Sequence, residues 1–128
     1  MTSPATDYTR PSLRQQQSLF VKCLGALLIY ATQQGYELTL GEGYIQSPRK
    51  TRGGQLVSDG VHMSGSLHYV KLAQDLNLFV NGVYQPVDCP EWRDIGEFWE
   101  TLDPACRWGG RFSSVDLNHF SIGFEGRA

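Results

Sequence analysis

Between residues 12 and 34 the apolar positions recur at helical intervals. Phe20, Leu24, Leu27, Leu28 and Ala31 stand three or four residues apart, the spacing that gathers side chains on one helix face. Ser12 and Gln15 have the spacing of a capping box at the start, and Gly35 is placed to stop the helix. The period then shortens. Residues 36–46, YELTLGEGYIQ, alternate and are rich enough in aromatic and β-branched residues to predict a strand. Residues 66–80, SLHYVKLAQDLNLFV, lead into a second strand, with Ala73, Asp75 and Asn77 on one face and Leu72, Leu76, Leu78 and Val80 on the other. Asn81-Gly82 between two apolar runs signals a type I′ hairpin. Pro90 suits a first helical turn, and Trp92, Ile95, Trp99 and Leu102 share one face of a helix predicted over 90–104. Residues 108–124 begin with a glycine turn and end in an alternating strand, His119 and Ser121 opposite Phe120, Ile122 and Phe124. Helices and hairpin strands without a βαβ rhythm predict a small single α+β domain.

Two segments break the pattern. Residues 1–11 read as a flexible N-terminal tail ending in Pro11. Residues 47–65 carry several glycines and little periodicity, and a loop of that length inside a small domain is often functional.

Composition adjusts this picture modestly. With 128 residues, 41% hydrophobic and 19% charged, the chain has the composition of an ordinary globular protein. A net charge of −2 gives no electrostatic footprint for nucleic acid or an anionic membrane. The best apolar run, residues 23–31, is far below the roughly 20 residues a spanning helix needs, so neither membrane insertion nor a secretory signal is expected. Cys23, Cys89 and Cys106 are widely spaced with no CxxC pair, which predicts reduced, semi-buried thiols and a cytoplasmic protein.

The candidate chemistry starts from an anomaly. Asp75 lies within a strand that otherwise reads as buried, and a buried carboxylate needs a partner. His68 lies just before that strand, where a turn can swing its imidazole back, and His119 lies on another strand. Two imidazoles and a carboxylate form a suitable three-donor set for catalytic Zn²⁺, with one position left open. Asp116 lies three residues before His119, close enough to act as a general base. Such spacing is common by chance, and no HExxH helix accompanies it. Trp92, Trp99 and Trp108 read as packing residues, and Glu42, on its strand, as a structural pairing group rather than an alternative acid.

Three segments together carry more weight. Ser66-x-His68-x6-Asp75, then Trp108-Gly109-Gly110-x-Phe112, then Asp116-x-x-His119-Phe120 resemble the zinc D,D-carboxypeptidase and L-alanyl-D-glutamate peptidase family, which includes VanY-type carboxypeptidases and small phage endolysins. LAQDLNLF, GEFWETLDPACRWGGRF and NHFS resemble the endolysin branch in particular, and the resemblance runs over residues 14–124. It implies a Hedgehog/DD-peptidase-like fold over residues 12–128, with an antiparallel sheet packed against an N-terminal helix and one in the C-terminal half. It implies Zn²⁺ ligation by His68, Asp75 and His119, with Asp116 as the catalytic carboxylate. The implied substrate is the L-alanyl–D-glutamate bond of the bacterial peptidoglycan stem peptide. A D-alanyl-D-alanine carboxypeptidase and a non-catalytic wall-binding relative are the alternatives. A monomer is expected, reaching the wall from the cytoplasm of an infected host through a holin-type lesion. Many relatives carry an arginine after Gly41-Glu42-Gly43-Tyr44 where this chain has Ile45-Gln46, leaving Arg49, Lys50 and Arg52 as candidate replacements. His62 is a candidate substrate contact, and Ser66 a candidate hydrogen-bond partner near His68.

Overall fold

The capping box forms as its spacing predicts. Ser12 Oγ accepts from Gln15 N at 3.1 Å and Gln15 Oε1 accepts from Ser12 N at 2.8 Å, opening helix α1, Leu13–Gln33. At the other end Gly35 takes φ +82°, its N–H donates to Thr32 O, and Tyr36 N–H donates to Ala31 O. That is a Schellman motif, whose left-handed residue glycine adopts without strain. Phe20, Cys23, Leu27 and Ala31 form the buried stripe of α1, while Val21 and Ile29 face solvent. Ser12→Ala should therefore lower stability by about 1 kcal/mol, read as a drop in the thermal midpoint.

The computed structural model describes residues 10–44 and 66–128, and the rest of the fold follows from these. Strand β1 (Glu37–Leu40) pairs antiparallel with β2 (Ala73–Val80), matching Glu37 to Phe79 and Leu40 to Leu76. Asn81 and Gly82 both have positive φ, as a type I′ turn requires, and return the chain into β3 (Val83–Tyr84). Helix α2 (Pro90–Leu102) starts with its proline in the first turn. Then come β4 (Cys106–Trp108) and β5 (His119–Ile122), giving a five-stranded sheet in the order β1-β2-β5-β4 with β3 beside β2. Two helices on an antiparallel sheet make this the expected α+β domain.

Tryptophans lock the layers together. Trp99 on α2 meets Phe20 of α1 and Phe120 of β5 edge-on, each at 5.8 Å between ring centroids. Its indole N–H donates to both Arg107 O and Ser121 O, tying α2 across β4 and β5. Trp92 Nε1 donates to Gln85 O and Trp108 Nε1 to Leu117 O, so each indole polar group is satisfied inside the core. All four residues of β5 are buried, and His119 among them also lines the cavity of the site.

Several local expectations change. The predicted strand at 36–46 is regular only over Glu37–Leu40, although Gly41 N and Glu42 O still exchange hydrogen bonds with Asp75. The stretch beginning at Ser66 opens with a 3-10 helix, Leu67–Val70, not with strand. β4 is an addition. Cys23, Cys89 and Cys106 are free thiols, Cys23 and Cys106 buried. Among the described residues no helix is long and apolar enough to cross a membrane.

Candidate metal centre

Strand register brings the site together. Asp75 on β2 lies directly opposite His119 on β5, with Gln74 opposite Phe120 beside them. His68 reaches the same point from the 3-10 helix. Ser66 Oγ caps that helix by accepting from His68 N at 3.3 Å, and Lys71 in left-handed conformation (φ +60°) turns the chain into β2. His68 Nδ1 donates to Gly43 O at 2.8 Å, which fixes the tautomer and leaves Nε2 facing Asp75. Gln74 Nε2 holds the Gly41–Gly43 segment in turn, donating to Gly41 O at 3.2 Å and to Asp75 O at 2.8 Å.

Three donor atoms converge. His68 Nε2 lies 3.3 Å and His119 Nδ1 3.6 Å from Asp75 Oδ1, and all three donors lie within 4.8 Å of one another. Charge-assisted hydrogen bonds close to about 2.7–2.9 Å, and these contacts do not. Donors bound about 2.0–2.1 Å from a tetrahedral ion instead stand roughly 3.3–3.4 Å apart. Asp75 Oδ1 is buried without a hydrogen bond of ordinary geometry, a costly state for a carboxylate oxygen unless a cation faces it. The donor set and its spacing thus fit a metal ion. Burial pushes the Asp75 carboxyl up, but His119 and His68 outweigh it and hold the group below the usual carboxylate range, in the ionised form a ligand needs.

Asp116 stands at the rim of the same cavity, of 620 Å³, which Glu42, Ser66 and Phe112 also line. Partial enclosure, followed by the nearby Asp75 charge, pushes its carboxyl above the usual range. That is the direction suited to a group that takes up and returns a proton near neutrality. Its backbone is fixed on both sides, Asp116 N donating to Gly109 O at 2.9 Å and Asp116 O accepting from His119 N at 3.1 Å. Glu42 contributes its main chain to the frame, its carbonyl accepting from Asp75 N at 2.7 Å.

The glycines of Trp108-Gly109-Gly110 were legible as a motif but not as parts of the frame. A Cβ on Gly109 would lie 2.1 Å from Asp116 O and 2.9 Å from the His119 Cβ, and Cβ atoms on Gly96 or Gly110 would strike the Trp108 ring. Arg49, Lys50, Arg52 and His62 lie outside the described residues. Among the described residues lining the cavity there is no lysine or arginine.

A family model described as D-alanyl-D-alanine carboxypeptidase, of peptidase family M15, matches residues 60–122. That stretch contains His68, Asp75, Asp116 and His119. No curated protein matches the chain. The matched stretch is just under half of the chain; the two-helix, five-strand fold is consistent with an M15 peptidase, and the cluster able to hold a metal ion lies within that stretch.

Proposed function

We propose that the protein is a zinc-dependent, endolysin-like peptidase that hydrolyses the L-alanyl–D-glutamate bond of the peptidoglycan stem peptide. The convergence of His68 Nε2, Asp75 Oδ1 and His119 Nδ1 in a cavity that also holds Asp116 supports this reading most directly. Two nitrogens and one oxygen suit Zn²⁺. A zinc ion bound there supplies Lewis acidity, enough to bring a coordinated water to a pKa of about 7.

The chain's own residues do the rest. The Gly43 carbonyl keeps His68 in one tautomer, and the β2–β5 register keeps Asp75 and His119 in place before substrate arrives. Asp116 accepts a proton from the attacking water and returns it to the departing D-glutamate amine. Partial burial, the larger cause of its raised pKa, favours the neutral form that hands the proton on. A basic side chain from residues 49–52 is the proposed counter-charge for the developing oxyanion. In this reading the enzyme is a monomer made in the host cytoplasm that meets peptidoglycan through a holin-type lesion.

The D-alanyl-D-alanine carboxypeptidase reading draws on the description of the matching family model. Mass spectrometry of muropeptides released from purified peptidoglycan separates the two, with and without a chelator. New L-alanine carboxyl termini that vanish with chelator are the expected result. Free D-alanine would establish the carboxypeptidase instead, and no release at all would leave a wall-binding relative.

A further inference from the structure

After Leu40 the chain leaves regular strand geometry, yet residues 41–44 stay pressed along β2 as a strap. Gly41 N donates to Asp75 O at 2.8 Å, and Asp75 N donates to Glu42 O at 2.7 Å. The fit is close: a Cβ on Gly41 would lie 3.1 Å from the Asp75 Cβ, and one on Gly43 2.6 Å from Gln74 Oε1. At the far end of the strap Lys71 Nζ stands over the Tyr44 ring, 4.9 Å from its centroid. The same strap presents the Gly43 carbonyl to His68 Nδ1 at 2.8 Å. It therefore meets two of the three donor residues, Asp75 through the main chain and His68 through its ring.

One side chain fastens this strap to the strand. The Gln74 amide nitrogen carries two N–H groups, which go to Gly41 O on the strap at 3.2 Å and to Asp75 O on β2 at 2.8 Å. Both acceptors are carbonyls, so a side chain of the same length without donors cannot make the bridge. The carbonyl facing His68 Nδ1 can likewise only accept, which puts the ring proton on Nδ1 and leaves the Nε2 lone pair toward Asp75. We infer that Gln74 is a positioning residue for the metal centre: it clamps Gly41 to β2, so holds the Gly43 carbonyl in place, and through that carbonyl keeps His68 in the tautomer that offers Nε2 to an ion. Gln74 is not one of the three donors and acts only through the strap. Asn77, on the same strand, supplies the contrast. Its side chain donates to Thr39 Oγ1 at 3.3 Å across β1 and β2, a bond that supports the sheet and leads to no donor. The inference rests on the proposed metal centre and adds to it the residue that selects the His68 tautomer.

The test compares the full chain with three variants. Gln74→Met keeps the length of the side chain and loses its donors. Gly43→Ala pushes on the same amide from the strap side. Asn77→Ala is the control that loses a side-chain bond elsewhere on β2. Nitrogen-15 NMR of the metal-free protein, well above the usual histidine pKa, should show wild-type His68 as a single Nδ1–H tautomer. Gln74→Met and Gly43→Ala should each show a mixture of the two tautomers. Zinc affinity, measured by competition with a chromophoric chelator, should fall on the order of tenfold in both. Asn77→Ala should match the wild type in tautomer and in zinc affinity. A wild-type tautomer or a wild-type zinc affinity in either strap variant would overturn the role of Gln74. An equal loss of zinc affinity in Asn77→Ala would also overturn it, because any weakening of β2 would then suffice. The metal centre is tested separately by the wild-type protein. Absence of zinc binding there removes the centre and this role with it, whereas wild-type binding that Gln74→Met retains in full removes the positioning role alone.

Discussion

For the proposed zinc peptidase, Asp116→Asn should reduce peptidoglycan hydrolysis by about 10²- to 10⁴-fold while leaving bound zinc at the wild-type stoichiometry. The size is that of removing a positioned general acid–base group. The separation of the two readouts follows from geometry. The donors within 4.8 Å of one another are His68, Asp75 and His119, and Asp116 is not among them. Asparagine also preserves the shape of the side chain, and the backbone bonds that place residue 116, from its N–H to Gly109 O and from His119 N–H to its carbonyl, do not involve the carboxylate. Elemental analysis for zinc and the rate of turbidity loss of purified cell walls measure the two quantities. Near-wild-type lysis would remove Asp116 from the reaction. Lost zinc together with lost lysis would make it a ligand or a support for one.

Local signals wrote much of this fold plainly. The capping box at Ser12, the glycine stop at Gly35, the Asn81-Gly82 turn and the proline opening α2 each depend on neighbours a few residues away, so a short window contains the whole cause. The beginnings and ends of strands were less legible because they depend on pairing. Leu67–Val70 has the apolar content of a strand, yet the Ser66 cap and the left-handed Lys71 close it into a 3-10 turn. Cys106–Trp108 is too short to show a period, and it is a strand because β5 lies beside it.

The site was legible in a different way. An aspartate on an otherwise apolar strand announced a missing partner, and the structure places two histidines around it. What composition and spacing could not express is the support beneath those side chains. Gly43 matters through its carbonyl, Gln74 through an amide that holds the Gly41–Gly43 segment, and Gly109 through having no side chain at all. Such contributions come from main-chain atoms and empty space, which leave no chemical mark in the sequence.

Gly109→Ala puts that point to the strongest test, and it should cost both stability and zinc. The added methyl would meet Asp116 O at 2.1 Å and the His119 Cβ at 2.9 Å. Neither is the free end of a flexible side chain, so the backbone of the Asp116–His119 turn has to move. Overpacking of this kind costs about 1–3 kcal/mol, a fall of roughly 4–12 °C in the thermal midpoint for a domain of this size. The same movement displaces a proposed ligand and the proposed general base together, and a shift of about 1 Å at a reacting group can cost on the order of 10²-fold in rate. Zinc affinity should therefore fall along with hydrolysis, unlike the Asp116→Asn case. Gly25→Ala is the matched control. Gly25 lies within α1, nothing stands within 4 Å of its would-be Cβ, and alanine there should raise stability by about 0.5–1 kcal/mol. Thermal melts, zinc titration and wall lysis on the two variants compare one methyl group in two places. Wild-type zinc affinity and activity in Gly109→Ala would mean that the turn carrying Asp116 and His119 is not held by this contact. Opposite signs in the two variants would trace the requirement for glycine to the space beside Asp116 and not to helix or chain propensity.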